Sequence, residues 1–263
     1  MPDKTYELAV FEQDQGQPVV LLHGLISTHR YWRQVIAHLN TKKWHIIAPD
    51  LLGFGDSPKP KDAQYDLAEQ VECVDRAVRN SFNPPATLVG HSLGAIVALK
   101  WAVNRPELFK RVVLSGLPLF SPQTKYRQLA SGAETKYVPH ERLAKIAIHA
   151  FGWLNVLPVL TMRLHKTWPR HIAEDWTTNS RHAHKKIVRN PVLSDEVLKL
   201  LKELKIPTQI IVGKYDGMVG ETGIKSLRSI ARDNNNISLE VISGGHNIPL
   251  KFPEVIAQAI LQV

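Results

Sequence analysis

Short runs of apolar, β-branched residues alternate along this chain with longer segments whose apolar residues recur every three or four positions. A short continuous apolar run is typical of a strand buried on both faces, and the wider spacing is typical of an amphipathic helix. The pattern predicts strands at Val19–Leu22, His45–Ala48, Thr87–Val89, Val112–Leu114, Gln209–Val212 and Ser238–Ile242. It predicts helices at Leu67–Val78, Ile96–Val103, Val197–Leu204 and Val255–Leu261. Strands that alternate with helices imply an α/β fold, with a mostly parallel sheet and helices on both faces.

Two stretches depart from this alternation. Residues Thr5–Phe11 alternate apolar and polar side chains, which predicts an antiparallel edge hairpin that turns near residues 14–17. Between Leu119 and Leu193 there is no strand-like run, and prolines divide the interval into short helical pieces. We therefore expect an α/β core formed by residues 1–118 and 194–263, with a helical cap inserted at residues 119–193.

The positive charge of the chain is concentrated in the same interval. The 263 residues carry a formal net charge of +9 at pH 7. Residues 119–193 hold 12 Lys and Arg against 4 Asp and Glu, so the rest of the chain is nearly neutral. A basic surface on the cap attracts anionic substrates and favours weak association with an anionic lipid surface. Because no recognition module accompanies the charge, we expect no nucleic-acid partner.

Composition narrows the class of protein further. With 44% hydrophobic and 22% charged residues, the chain has average globular usage, which excludes collagen-like, disordered and coiled-coil classes. The single cysteine, Cys73, cannot form an internal disulfide, and the N-terminal residues lack a secretory signal. The most apolar long stretch, Ile146–Leu164, is interrupted by polar residues and a proline, so no membrane span is expected. These features favour a cytoplasmic location.

The strongest chemical signal is the pentapeptide Gly90-His91-Ser92-Leu93-Gly94, which lies between a predicted strand and a predicted helix. In the G-x-S-x-G pattern, a sharp turn exposes the serine hydroxyl above the sheet, and the flanking glycines leave room for that turn. The pattern therefore predicts Ser92 as a nucleophile. His91 is expected to point away from the reacting atoms and to support the loop.

A serine nucleophile needs a general base to take its proton and a third group to orient that base. Asp216 follows the predicted strand Gln209–Val212, and His246 follows the predicted strand Ser238–Ile242. The carboxyl ends of parallel strands meet at one edge of a sheet, so both side chains can converge on Ser92. The sequence therefore predicts a Ser92, His246 and Asp216 triad.

Acyl transfer also needs two backbone donors for the oxyanion that develops at the substrate carbonyl. The amide of Leu93, directly after the nucleophile, is the first candidate. The second is the amide of Leu25 in the loop after the strand Val19–Leu22, where Gly24 permits the required backbone shape. Residues 23–28 are called the oxyanion loop below, and His23 is expected to order it.

Metal and cofactor sites have little support in the sequence. The loop with Asp50 and Asp56 is better explained by turn chemistry, since further ligands are missing there. His182 and His184 lie beside two lysines, which makes a poor cation site. No phosphate-binding or dinucleotide-binding glycine motif is present. We expect no metal and no cofactor.

On these motifs, the chain resembles the α/β-hydrolase fold superfamily, in its serine esterase and lipase-like branch with a helical cap. The resemblance covers nearly the whole length and rests on His23-Gly24, residues 50–57, the turn at residues 90–94, and the Asp216 and His246 segments. It implies a mostly parallel sheet of about eight strands, with the cap inserted after the sixth. The order Ser, Asp, His along the chain is also that of these hydrolases.

The resemblance implies cleavage of a carboxylic ester or related acyl bond in a small molecule, through an acyl-enzyme intermediate. Ser92 argues against dehalogenase and epoxide hydrolase chemistry, for which relatives carry aspartate at that position. Carbon-carbon bond hydrolases remain an alternative, although their oxyanion loop is richer in glycine than Leu25-Ile26-Ser27-Thr28. A slow-turnover receptor or scaffold on the same fold is the other alternative.

The cap offers candidates for lining an acyl pocket, because ligand sites are mostly apolar. The residues are Trp153, Trp168 and Trp176, with Phe151, Leu154, Val156, Leu157 and Leu160. Packing of some of these side chains onto the core is the alternative.

Overall fold

The computed structural model describes residues 6–13, 15–39, 43–119, 170–178, 180–188, 190 and 196–262. Across these residues one sheet contains β1 (Val10–Gln13), β2 (Gln17–Leu22), β3 (Trp44–Pro49), β4 (Ala86–His91), β5 (Phe109–Ser115), β6 (Thr208–Gly213) and β7 (Ile237–Ile242). The strand order is β1-β3-β2-β4-β5-β6-β7. Only the pairing of β1 with β3 is antiparallel. The predicted α/β architecture with a mostly parallel sheet is confirmed.

The N-terminal edge of the sheet differs from the prediction. Strand β1 pairs with β3 and not with β2, so the predicted hairpin is wrong. Strand β2 lies between two parallel neighbours because Val19–Leu22 is fully buried, and an edge position would expose it. Before β1, the Ala9 amide donates to Ser57 Oγ at 2.9 Å, and the Ala9 carbonyl accepts from the Asp50 amide at 2.9 Å. The segment before β1 is therefore hydrogen-bonded to the loop after β3.

The described residues contain seven strands of the expected sheet of about eight. Along the described chain, the interval that we assign to the cap comes after β5.

Helices cover both faces of this sheet. In the described residues they are α1 (Arg33–Ala37), α2 (Leu67–Val78), α3 (Leu93–Asn104), α4 (Arg170–Thr177), α5 (Arg181–Ile187), α6 (Glu196–Glu203), α7 (Gly220–Asp233), α8 (Ile248–Lys251) and α9 (Pro253–Leu261). The four predicted helices correspond to α2, α3, α6 and α9. Helix α7 was missed: Ile224, Leu227 and Ile230 recur at helical spacing, but glycines at its start weaken the pattern.

Two hydrophobic clusters, one on each face, hold the helices to the sheet. One cluster joins the sheet to α2, α3, α6 and α7, and the other joins it to α1, α8 and α9. Helix α3 packs against β4 and β5 as well as against α2 and α6. Residues Leu93–Leu99 are all buried, so apolar residues surround this part of the helix, as expected for a helix segment with no solvent face. This packing fixes the position of the α3 N-terminus, where Ser92 lies.

The described part of the predicted cap consists mainly of α4 and α5. Helix α5 and Asn190, three residues beyond its end, are hydrogen-bonded to a surface loop of the core. Lys186 Nζ donates to the Ala63 carbonyl at 2.6 Å, and Asn190 Nδ2 donates to the Gln64 carbonyl at 2.8 Å. The candidate pocket residues at 151–168 and the side chain of Trp176 lie outside the described residues. No helix in the described part of the chain is long and apolar enough to cross a membrane.

The end of β6 approaches the loop after β7 closely, and this contact yields a stability prediction. A Cβ atom built on Gly213 lies 2.3 Å from the Gly244 carbonyl oxygen and 2.5 Å from that of Gly245. We predict that Gly213→Ala lowers the free energy of unfolding by about 1 to 3 kcal/mol, because the backbone must shift to admit the methyl group. Urea unfolding measures the change.

Gly217→Ala is the matched control for this substitution. Nothing lies within 4 Å of a Cβ atom built on Gly217. The control should unfold at nearly the same urea concentration as the wild type. Equal stability of the two variants would contradict the assigned close approach.

Candidate active site

The turn between β4 and α3 holds Ser92 in a rarely populated backbone conformation. Its φ is 52° and its ψ is −115°, a region that costs a residue other than glycine roughly 1 to 3 kcal/mol. A Cβ atom built on Gly90 lies 2.4 Å from the Gly94 carbonyl oxygen, and one built on Gly94 lies 2.1 Å from the Leu22 carbonyl oxygen. Both glycines are therefore needed for the turn, as the G-x-S-x-G pattern predicts.

The structure brings the three predicted triad side chains together. His246 Nε2 lies 2.9 Å from Ser92 Oγ, and His246 Nδ1 lies 2.9 and 3.0 Å from the two Asp216 carboxylate oxygens. The carboxylate can only accept, so Nδ1 carries the proton and Nε2 is left to accept from the serine hydroxyl. Such an arrangement can deprotonate Ser92 as it attacks an electrophile.

Asp216 and His246 are positioned by loops at the carboxyl ends of β6 and β7. Asp216 is 2% exposed, and its Oδ1 atom also accepts from the Met218 amide at 2.9 Å. These contacts leave the carboxylate little freedom to rotate. Gly220 has a φ of 65° and begins α7 directly after this loop.

The oxyanion loop packs directly against Ser92. A Cβ atom built on Gly24 lies 3.3 Å from Ser92 Cβ and 3.1 Å from His91 Cδ2. The amides of Leu25 and Leu93 donate no hydrogen bond to other described residues. Ile26 has a φ of 55°, which is rare for a β-branched residue and typical of strained loops at functional sites.

His23 orders the oxyanion loop through two hydrogen bonds and does not contact Ser92. Its Nε2 atom accepts from the Leu51 amide at 2.9 Å, so the proton is on Nδ1, which donates to the Gly24 carbonyl at 2.7 Å. Burial lowers the pKa of His23, against the opposing charge of Asp50. The ring is therefore neutral and links the oxyanion loop to the loop after β3.

His91 also lies outside the reacting pair. Its ring stacks on Tyr31 with a centroid distance of 4.9 Å, and it lies 5.0 Å from the His246 ring. His91 Nδ1 donates to the Ser115 carbonyl at 3.2 Å. Burial, and secondly the charge of His246, hold the pKa of His91 well below its usual range. His91 thus packs against His246 as a neutral ring.

Sequence reasoning missed Tyr31 and Asn247. Tyr31 Oη donates to Asn247 Oδ1 at 3.3 Å, which connects the 3-10 turn His29–Trp32 to the loop that carries His246. No motif could reveal this contact, because it depends on how two distant loops pack together.

The carboxylate-rich loop after β3 is held by local hydrogen bonds. Asp50 accepts from the His29 amide at 2.7 Å, from His29 Nδ1 at 3.0 Å and from the Asp56 amide at 2.9 Å. Burial by itself would raise the pKa of Asp50, but the hydrogen bonds from His29 and Asp56 outweigh it and hold the pKa at about 2. Among the described residues there is no group of three or more potential metal ligands.

The family of this chain follows from comparison with protein-family models and solved structures. A family model described as alpha/beta hydrolase fold matches residues 17–253. The chain therefore belongs to the α/β hydrolase fold family. An esterase from Exiguobacterium antarcticum shares the fold with a TM-score of 0.75 and 18% identity, over 98% of this chain and 97% of that one. An epoxide hydrolase from Vigna radiata has a TM-score of 0.74 and 20% identity, over 98% and 96%.

Curated relatives match shorter stretches at higher identity. A probable lysophospholipase from Arabidopsis thaliana, BODYGUARD 3, is 30% identical over 194 residues, or 68% of this chain and 39% of that protein. A 2-hydroxymuconate semialdehyde hydrolase from Pseudomonas sp. (strain CF600) is 38% identical over 104 residues, or 38% of this chain and 36% of that protein. The chain thus spans well under half the length of these relatives.

The loop after β3 gives a second stability prediction. In Asp50→Asn, the new NH₂ group faces a backbone N–H donor, so one buried donor loses its partner. We expect the free energy of unfolding near neutral pH to fall by about 1 to 3 kcal/mol. The wild-type contribution is present above the ordinary pKa of 3.8 and is lost as the pH falls through about 2. The difference between wild type and variant should therefore shrink on acidification.

Urea unfolding curves recorded at neutral and acidic pH measure this difference. Asp56→Asn is the control, since the Asp56 side chain is exposed in the same loop. A difference that is independent of pH would argue against a charged Asp50 as the stabilising group.

Proposed function

We propose that this protein is a serine hydrolase that cleaves a carboxylic ester or a related acyl bond of a small molecule. The observation that carries the proposal is the pair of 2.9 Å contacts joining Ser92 Oγ to His246 Nε2, and His246 Nδ1 to Asp216. Membership of a family rich in hydrolases supports it.

The proposed reaction begins when Ser92 Oγ attacks the substrate carbonyl carbon and His246 Nε2 takes the hydroxyl proton. Asp216 holds the Nδ1 proton and stabilises the imidazolium that forms. His246 then gives its proton to the leaving alcohol as the bond from the carbonyl carbon to that oxygen breaks. Water, deprotonated by His246, attacks the acyl-enzyme, and the acid leaves as the proton returns to Ser92.

The oxyanion of each tetrahedral intermediate needs donors that are already in place. We assign this role to the amides of Leu25 and Leu93. Leu93 is the first residue of α3, so its amide points out of the helix N-terminus, where the helix dipole also favours negative charge. The close approach of Gly24 to Ser92 brings the oxyanion loop, which contains the Leu25 amide, against the serine.

We further propose that residues 119–193 form the cap over this site and that the basic cap associates weakly with anionic lipid surfaces. The excess of 12 basic over 4 acidic residues supports this, as does the similarity to proteins named probable lysophospholipases. Acyl esters of anionic lipids are therefore among the substrates to test.

Carbon-carbon bond hydrolysis is the second candidate. The match to the 2-hydroxymuconate semialdehyde hydrolase favours it. The absence of glycine from Leu25-Ile26-Ser27-Thr28 favours an ester instead, because the ring-cleavage enzymes resemble this chain but carry a more glycine-rich loop.

The nucleophile assignment predicts that Ser92→Ala loses multiple turnover on p-nitrophenyl esters from acetate to palmitate. We expect kcat/KM to fall at least about 1000-fold, because the remaining groups cannot form an acyl-enzyme. Ser226→Ala is the control, since this serine lies on α7 and its hydroxyl donates to the Thr222 carbonyl at 3.1 Å. Circular dichroism checks that both variants are folded.

Other results of these assays would refute the proposal or favour one of its alternatives. A folded Ser92→Ala that keeps its activity would refute the proposal. Reaction of the wild type with a fluorophosphonate, but no multiple turnover on any substrate, would indicate a receptor or scaffold. Turnover of a ring-cleavage product, but of no ester, would establish the second candidate.

The lipid association is tested with vesicles of anionic and neutral phospholipids. Binding to the anionic vesicles should weaken strongly as salt rises, because screening shortens the range of the attraction. Binding that is equal for both vesicle types, or independent of salt, would contradict the proposed lipid association.

A further inference from the structure

A buried carboxylate from the predicted cap is hydrogen-bonded to the end of the oxyanion loop. Asp175 lies on α4 and is 0% exposed. Its Oδ2 atom accepts from Thr28 Oγ1 at 2.9 Å, and its Oδ1 atom accepts from Arg30 Nη2. Thr28 is the last residue of the oxyanion loop, and Arg30 lies in the 3-10 turn that follows it.

Thr28 is held from several sides at once. Its hydroxyl oxygen accepts from the Arg30 amide at 3.2 Å while donating to Asp175, and its carbonyl accepts from the Tyr31 amide at 3.0 Å. These bonds fix the loop at its C-terminal end, whereas β2 fixes its N-terminal end. Leu25 and the strained Ile26 lie between the two fixed ends, so their backbone conformation depends on both.

A contribution to stability does not by itself explain why Asp175 forms a buried ion pair with Arg30. Removing two charges from water costs several kcal/mol per ion in a low-dielectric interior, so well-packed apolar side chains often serve stability equally well. A charged acceptor with two donors does, however, impose a definite geometry. Glu174, the neighbouring residue, bonds to the same arginine at 3.0 Å, but its side chain is 50% exposed. The two acidic residues therefore differ in their ability to hold the loop.

We propose that Asp175 is a positioning residue for the oxyanion hole. Its carboxylate holds Thr28 and Arg30 so that the oxyanion loop presents the Leu25 amide to the developing oxyanion. The inference rests on the proposed function, since it assigns a task within that reaction. Because the donors must lie roughly 2.7 to 3.1 Å from the position of the oxyanion, a loosened loop weakens transition-state binding more than substrate binding.

The test compares Asp175→Asn with Glu174→Gln in steady-state ester hydrolysis, well below the melting temperature of each variant. Asp175→Asn should lower kcat about 10-fold to 100-fold with KM changed less than about twofold, because a transition-state interaction is lost. Glu174→Gln removes the charge of the neighbouring residue on the same arginine and should leave both constants within about twofold.

A second pair of variants tests the same contact by changing Thr28, the partner of Asp175 in the oxyanion loop. Thr28→Val removes the hydroxyl while keeping the shape of the side chain, and Thr28→Ser keeps the hydroxyl. We expect Thr28→Val to lose kcat as Asp175→Asn does, and Thr28→Ser to retain most of it. This pair keeps the inference testable if Asp175→Asn fails to fold.

Inhibition by a trifluoromethyl ketone separates positioning of the hole from a general loss of structure. This compound, built on the acyl chain of the best ester, adds Ser92 Oγ and places an oxyanion in the hole. Its inhibition constant should rise by the same factor as kcat/KM falls across the variants. A fall in kcat/KM with an unchanged inhibition constant would overturn the inference.

The remaining outcomes distinguish this inference from the proposed function. Wild-type kcat in both Asp175→Asn and Thr28→Val, together with an inactive Ser92→Ala, would overturn the inference alone. An equal loss of kcat in Glu174→Gln would also overturn it. Activity that survives in Ser92→Ala would overturn the proposed function and this inference with it.

Discussion

The close backbone contact between α3 and the end of β2 is the constraint on which the candidate site depends. Gly94, in the first turn of α3, lies so near the Leu22 carbonyl that no side chain fits between them. This contact allows the turn at Ser92 to take its strained conformation. It also places the oxyanion loop, which begins directly after β2, beside the nucleophile. One steric condition therefore sets both the serine backbone and the position of its neighbouring loop.

The 3-10 turn His29–Trp32 joins the separate segments that surround this contact. His29 bonds to Asp50 in the loop after β3, and Arg30 bonds to Asp175 on α4. Tyr31 stacks on His91 and bonds to Asn247, next to His246. A change in this turn would affect Ser92, His246 and the oxyanion loop together, although no residue of the turn belongs to the proposed triad.

Much of the fold could be predicted, and so could the three side chains that the structure brings together at Ser92, because both depend on local patterns. Continuous apolar runs identified six strands, and the glycines around Ser92 identified the turn. Partner choice at the sheet edge could not be predicted in this way. The alternating residues Thr5–Phe11 suggested a hairpin, yet β1 pairs with β3, because the largely buried β3 also needs a neighbour on each side and the partly exposed β1 can occupy the edge. Asp175 and Asn247 likewise carry no local signal of their contacts.

The sequence by itself determined the alternation of strands and helices, the G-x-S-x-G turn and the order of Ser92, Asp216 and His246. These features follow from side-chain periodicity and from residue types that permit special backbone angles. Only the tertiary structure decided the edge pairing of β1, the hydrogen-bond partners and neutral state of His23 and His91, and the contact of Asp175 with Thr28. Those depend on which distant surfaces pack together, because burial and hydrogen-bond partners are properties of the folded chain.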